Sequence, residues 1–346
     1  MSAISQWLPG RTGLSPRQRT LLGIGSFLLP LLLWCLVSYA PLVWHPKVNI
    51  TAPGDVDYFQ VGMLVDKDVF HQEAARMRET RAAMPAGDPA NPIYLPAPHQ
   101  VARAFYTSFT TPPPQKDAPW LHESLWHSIT IIFWGFVLSS LVGVPLGILC
   151  GAHAGLARLS EPFLEFFRYL PAPAFGALAV AVLGIYDGPK IAVVFIGTFF
   201  QQVLVIANTA RKLDATILEA AMTLGTRGFR VLTKVVLPGI LPDLYRDQRI
   251  LLGWAWTYLI VAELIGTSTG IIWFITQQAR YQHFDNVYAA IMMIGIIGFG
   301  VDLLLQRLGR KLFPWDPVLN KGLYVHRAPR QHPRLSRAKR RRARAV

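Results

Sequence analysis

Bond-making chemistry has little to work with in this sequence. No His-Glu-x-x-His or Cys-x-x-Cys occurs, and no Gly-x-x-x-x-Gly-Lys-Ser/Thr is present to cradle nucleotide phosphates. His71, His99, His122 and His127 are too scattered to suggest a metal site. Cys35 and Cys150 fall inside apolar runs and read as small packing residues rather than a disulfide or metal pair. The polar side chains that stand out lie in apolar surroundings instead. Glu263 ends a spanning run, where a carboxylate is costly unless it is paired or faces a watery path. Pairing with Arg280 or a neighbouring span accounts for it as well as pathway lining does. Gln201, Trp256 and Tyr258 lie in such runs too, and either line a path or pack.

The second feature is a polar, basic stretch between two long apolar runs, Asp214 to Pro238, DATILEAAMTLGTRGFRVLTKVVLP. It reads as a short helix, Ala215 to Leu224, stopped by Gly225, which allows the tight turn. A second helical piece follows, and Leu237-Pro238 breaks it before the next span. Ala220 and Ala221 permit close approach of another surface, and Glu219 can cap or hydrogen-bond locally.

Composition supplies the frame for these residues. The chain is 346 residues long, 52% hydrophobic and only 16% charged, with a mean hydropathy of +0.33. Several runs approach or exceed the roughly 18 to 20 apolar residues that a membrane-crossing helix needs. An all-α integral membrane protein with six transmembrane helices follows. The first apolar run, residues 21–44, is longer than a cleavable signal core and reads as an anchor.

Residues 1–20 form a short basic N-terminus. Residues 45–98 change character, with prolines and mixed charges and no spanning run. Within them, Asp66 to Met84 looks helical, with Val69, Phe70, Ala74 and Met77 at three-to-four spacing. The bland reading, a loop packed on the outer face, is preferred for this insert over a ligand site. Val101, Ala102, Phe105 and Phe109 then mark one face of an amphipathic helix suited to lying along the membrane surface.

The second span is Ser124 to Cys150. Its Ser139, Gly143, Gly147 and Gly151 stand four apart, placing small residues on one face so that another backbone can approach. A third span, about Ala174 to Tyr186, which is short unless Phe163 to Leu170 contributes, and a fourth, Lys190 to Ala210, precede the polar stretch. Ile250 to Ile265 is the fifth span and Val287 to about Leu305 the sixth. Ile271 to Ala279 is too short to cross and is expected to be re-entrant or interfacial. Residues 316–346 are a basic tail.

Orientation follows from Lys and Arg near the spans. With six spans both termini share a side. That side holds Arg11, Arg17 and Arg19, then Arg158 and Arg168. It also holds Arg211, Lys212, Arg227, Arg230, Lys234, Arg246 and Arg249, and the tail. Both termini and the 214–238 loop are therefore expected in the cytoplasm and the 45–98 insert outside. The net charge of +14 then points to anionic headgroups at the membrane surface, not to nucleic acid, since no recognition fold or interleaved aromatics accompany the tail.

From about Leu95 to Trp315 the chain resembles the permease subunits of nitrate/sulfonate/bicarbonate-type, taurine-like ABC importers. The resemblance rests on residues in one order. Leu95-Pro-Ala-Pro98 and Gly143-Val-Pro-Leu-Gly147 come first. Glu161-Pro-Phe-Leu with Arg168-Tyr-Leu-Pro171, Glu219-Ala-Ala-Met-Thr-Leu-Gly225 and Val236-Leu-Pro238 follow. Ala262-Glu263, Ile294-Gly-Ile-Ile-Gly298 and Asp302-Leu-Leu-Leu with Arg310-Lys and Trp315 complete it. Asp247-Gln248-Arg249 keeps only the arginine of the usual Gly-Leu-Arg.

The resemblance implies a permease core over 99–315 and a coupling loop over 214–238, with Glu219, Ala220, Ala221, Gly225, Leu237 and Pro238 meeting an ATPase. It implies a bacterial inner-membrane location and a second copy of the chain. Cytoplasmic ABC ATPases would bind the ATP and Mg, and an external substrate-binding protein would deliver a small solute, an anion such as nitrate, sulfonate/taurine or bicarbonate. The chain itself would hold no cofactor and catalyse nothing. Glu263 fits a hinge or gate better than coordination of an anion. Two readings compete: an ion-coupled secondary transporter, and a membrane scaffold without an ATPase partner.

Overall fold

The computed structural model describes residues 16–40, 44–113, 119–265 and 269–321. Arg11 and the tail beyond residue 321 lie outside the described residues.

In chain order, the first helix, α1 (Pro16–Tyr39), is followed by β1 (Lys47–Ala52), β2 (Leu64–Asp66), α2 (Lys67–Glu79), β3 (Ala86–Ala90) and α3 (Pro98–Thr110). Next come α4 (Leu121–Ala152), α5 (Ala154–Arg168), α6 (Gly176–Leu183), α7 (Asp187–Arg211) and α8 (Ala215–Thr223). A helical turn α9 (Phe229–Val231) runs through a π-helical turn, Leu232–Val236, into α10 (Leu237–Leu264). Then follow α11 (Ile271–Arg280), α12 (Phe284–Leu312) and α13 (Pro317–Lys321).

Among the described residues, four helices are long and apolar enough to cross a membrane: Thr20–Tyr39 of α1, α4, α7 and α12. A fifth arises if α5 and the helix over Ala172–Leu183, bent by 91° at their junction, count as one broken span. Over the third span expected at 174–186, α6 alone is eight residues; the contribution from Phe163 to Leu170 would come through α5, from which Pro171 and Pro173 turn the chain. The first span ends at Tyr39, not at Trp44.

The chain divides into two compact units, Met1–Thr130 with Thr267–Gly295, and Ile131–Gly266 with Ile296–Val346. In the first, the insert folds into an antiparallel sheet of order β2-β1-β3. Ile50, Val56, Phe59 and Val65 form its buried core, covered by Phe70 and Met77 of α2. Sequence patterning alone missed this sheet, because β3, Ala86-Gly-Asp-Pro-Ala90, carries residues that are poor in strands. The expected helix over 66–84 ends at Glu79, where Arg81 turns the backbone at φ 54°. Asp66 pairs with Lys47 across the sheet at 2.7 Å, and Val69 faces solvent.

The amphipathic α3 buries Val101 and Ala104 against Ala289, with Trp34, Phe105 and Tyr288 around them. Ala102, assigned to that face from spacing, is exposed. Trp34 Nε1 donates to the Pro96 carbonyl at 3.1 Å and ties α1 to the start of α3. The N-terminus of α11 receives a side-chain bond, Ile271 N donating to Ser128 Oγ at 2.8 Å.

In the second unit, α7 is the central element. The stripe Gly135, Ser139, Gly143, Gly147 and Gly151 on α4 lies against Val194, Gln202, Ile206 and Ala210 of α7. A Cβ on Gly147 would stand 2.8 Å from Ile206 Cβ and 2.9 Å from the Val203 carbonyl oxygen. On Gly151 it would stand 2.4 Å from Ala210 Cβ. The small-residue spacing therefore does what it implies, bringing two backbones close. On another side α7 packs along α10.

Candidate functional site

Helix α8 is built to stand alone. Asp214 Oδ1 accepts from Thr216 N at 2.9 Å and caps its N-terminus. Those bonds hold the Asp214 carboxyl below its ordinary value. At the other end Thr226 N donates to the Ala221 carbonyl and Gly225 N to the Met222 carbonyl, each at 3.0 Å. With Gly225 at φ 85°, this is the Schellman arrangement, in which a left-handed residue closes the helix and satisfies its last carbonyls. Gly225 therefore stops the helix as its sequence position implies. Asp214, not Glu219, supplies the cap; Glu219 is exposed on the helix surface, beside exposed Ala220 and half-buried Ala221.

One side of this segment is anchored. Leu213, Leu218, Val231 and Leu237 pack on a buried cluster that includes Ile148, Ile206, Leu232, Val236 and Ile240. The other side is bare: Ile217 is 50% exposed, Met222 54%, Phe229 72% and Leu224 87%. A groove of about 670 Å³ runs beside it, lined in part by His153, Arg211, Met222 and Arg227.

Pro238 differs from its expected role. It does not break the chain before the fifth span; helical backbone runs from the π-helical turn Leu232–Val236 through it into α10, and its fixed φ suits that backbone. Thus α10 runs 28 residues from Leu237 through the expected fifth span. Asp243, Arg246, Asp247 and Arg249 all lie within it. Three of these are paired, Arg249 Nε with Asp302 Oδ1 at 2.5 Å and Arg246 both with Asp316 at 3.5 Å and with Asp243. These charges and Glu263 leave α10 outside the four apolar spans.

The pathway candidates fall on α7 and α10. Tyr258 lays its ring on Gly197, whose Cβ would stand 2.6 Å from it. Gln201, one turn further along the same face of α7, is half-buried, as is Trp256. Glu263 is 3% exposed, near the end of α10.

The polar residue that the pathway candidates leave out is Gln202, beside Gln201 in the middle of the fourth span and fully buried. Its Oε1 accepts from Ser139 Oγ at 2.5 Å. Its Nε2 donates to Ser140 Oγ at 2.8 Å and Gln248 Oε1 at 2.6 Å, joining α4, α7 and α10. The signal was present: Val194, Thr198, Gln202, Ile206 and Ala210 repeat every four residues, matching the small stripe on α4. Among the described residues, no group of three or more His, Cys, Asp or Glu is placed to hold a metal, and both cysteines are free thiols.

A mostly helical chain with several helices long and apolar enough to cross a membrane has the make-up of an integral membrane protein. Comparison with known proteins gives the family. Residues 143–314 match the model of the binding-protein-dependent transport system inner membrane component. A probable ABC transporter permease of Brucella abortus is 33% identical over 189 residues, 55% of this chain and 76% of that protein. The taurine transport system permease of Escherichia coli is 32% identical over 225 residues, 65% of this chain and 81% of that protein. The solved inward-facing methionine ABC transporter MetNI shares the fold, with a TM-score of 0.52 at 19% identity over 57% of this chain and 99% of that one. The chain belongs to the binding-protein-dependent ABC transport permeases: it is a membrane-embedded, non-enzymatic permease subunit of an ABC importer.

Proposed function

We propose that two copies of this chain form an alternating-access pathway. Cytoplasmic ATPases that bind ATP and Mg would drive it, and an external binding protein would supply it. Both termini and α8 face the cytoplasm in this reading, six segments cross the membrane, and α5–α6 and α10 supply the two that are not simple apolar rods. The basic tail lies on anionic lipid. The solute is a small oxyanion of the sulfonate type, a reading supported by the taurine permease relative.

The observation that carries the proposal is α8 itself. An eight-to-ten-residue helix costs more to order than it returns when isolated, yet this one is capped at both ends and leaves its apolar side uncovered. That surface suits a groove on an ATPase, with Glu219, Ala220 and Ala221 at the contact and Gly225 closing the helix. Leu237 and Pro238 pass its displacement into α10. Gln201, Trp256 and Tyr258 then line the moving α7–α10 seam, and Glu263 acts as a hinge or gate, since a carboxylate repels an anionic solute. The Gln202 bonds act as a clasp holding α4, α7 and α10 in register.

Purification from native membranes tests this. An ATPase is expected to co-purify with the wild-type chain and to be lost with Glu219→Lys combined with Gly225→Pro. ATPase association that survives the double substitution rules the docking role out.

A further inference from the structure

Between α9 and α10 lies the π-helical turn Leu232–Val236, closed by the Leu237 N–H donating to the Leu232 carbonyl five residues back. Such turns are rare, occur mostly as single bulges in α-helices, and are frequent at functional sites. Two features of the sequence produce this one. Pro238 has no N–H to give, and in a regular α-helix its ring would press on the Lys234 carbonyl, which the wide turn spans. Leu232, Val236, Ile240 and Leu244 also share one buried cluster with Ile148 and Ile206, and residues four apart drift off a single line in an α-helix.

At about 100° per residue, an unbroken α-helix puts Leu232 about 80° from the line of Ile240, and Phe229 about 20° from it. One extra residue taken up in the turn shifts everything ahead of it by about 100°, which brings Leu232 to about 20° and Phe229 to about 80°. The structure has this second arrangement: Leu232 is 8% exposed and Phe229 72%. Each register thus seats one large apolar side chain on the cluster and leaves the other out. A plain α-helix one residue shorter would hold Leu232 in the same place. The extra residue therefore adds nothing to the seating observed; what it adds is the alternative.

We infer that Leu232–Val236 is a two-register joint, exchanging Leu232 and Phe229 between the buried cluster and the bare surface beside α8. In the π register Phe229 is offered to a partner; in the α register it is withdrawn and Leu232 is turned out. The exchange needs no movement of α10, which is fastened to α7 by Tyr258 on Gly197 and by the Gln202–Gln248 bond. The turn ahead has room to follow, since Gly228, at φ 58°, has nothing within 4 Å of where a Cβ would stand. The backbone is helical in both registers, so the rod from Phe229 into α10 stays continuous. That the exchange governs docking rests on the ATPase reading proposed above; the joint itself does not.

The test therefore uses the full-length permease alone, in nanodiscs, so its failure leaves the docking reading untouched. Leu232→Cys, with Cys35→Ala and Cys150→Ala to remove background, is labelled with a water-soluble maleimide, which reacts from the α register. Phe229→Ala removes the side chain that this register buries and is expected to slow labelling about tenfold. Pro238→Ala restores an N–H to the Lys234 carbonyl and is expected to speed it about tenfold. Deletion of Lys234, which is exposed, leaves an all-α segment with Leu232 seated and is expected to abolish labelling. A second reading keeps Leu232 in place and does not depend on the cysteine variant folding. The Leu237 amide changes acceptor at each exchange of register, so its hydrogen exchange is expected to slow with Phe229→Ala and more so on deletion of Lys234. Labelling and amide exchange that both ignore Phe229→Ala and the deletion overturn the inference, whether or not an ATPase docks.

Discussion

Leu224 offers the cleanest measure of what α8 is for. It sits at the C-cap of the helix and is 87% exposed, so in the isolated chain its side chain contributes almost nothing to packing. Leu224→Ala removes three carbons, each worth about 0.8 kcal/mol on full burial. If an ATPase groove covers the part now exposed, the substitution weakens association by about 2 kcal/mol, roughly thirtyfold in Kd. The backbone is undisturbed, since alanine adopts the same right-handed conformation and the capping bonds come from main-chain atoms.

The assay is paired. Affinity of the purified ATPase for the permease in nanodiscs is measured by biolayer interferometry, and the permease's own melting temperature is recorded alone. A thirtyfold loss with an unchanged melting temperature is the expected result. Met222→Ala, at 54% exposure, is expected to lose less. A change in affinity below about threefold at Leu224, with stability intact, refutes burial of this surface by the ATPase. A fall in melting temperature of the permease alone refutes the premise that nothing in the chain covers it.

Two further substitutions probe the scaffold and the cap. Gly147→Val pushes a side chain into Ile206 and the Val203 carbonyl and should cost about 1–3 kcal/mol, read as a lower melting temperature. Gly253→Ala, in α10 with nothing within 4 Å, should be neutral or stabilising by about 0.5–1 kcal/mol. Because the folded carboxyl of Asp214 is held below its ordinary 3.8, its cap is fully present above that value and is lost as pH falls through the depressed one. Amide exchange at Thr216 should therefore be protected at neutral pH, rise at the acid end, and rise at all pH values in Asp214→Ala.

How much of this could be read from sequence varied with how local the cause was. The stop at Gly225 was legible, because a glycine after a short helical run marks a left-handed closure that few other residues accept. The stripe on α4 was legible as well, since four-residue spacing fixes a face whatever packs on it. What it faced was not, although α7 carries the matching period; Gln201 drew notice over its neighbour Gln202, and only the partner helix decides between adjacent residues. The sheet in the insert was hidden, because β1 to β3 owe their pairing to a core of Ile50, Val56, Phe59 and Val65 gathered across intervening turns.

Leu237-Pro238 shows where reading by rule goes astray, and why the difference matters. A proline between an amphipathic piece and an apolar run looks like a break, yet its fixed φ is itself helical, and Val236 ahead of it is helical too. Here the π-helical turn at Leu232–Val236 leads directly into α10, and a helix of 28 residues is about 42 Å long. The polar segment and the apolar half of α10 are thus one rod, fastened to α7 by the seat of Tyr258 on Gly197 and by the Gln202–Gln248 bond. A break at Pro238 would let the loop move while the span stayed still. A continuous rod does not: in the proposed docking role, a push on Phe229–Val236 would reach the α7–α10 seam through unbroken helical backbone, the Leu224–Gly228 turn being what separates α8 from that rod.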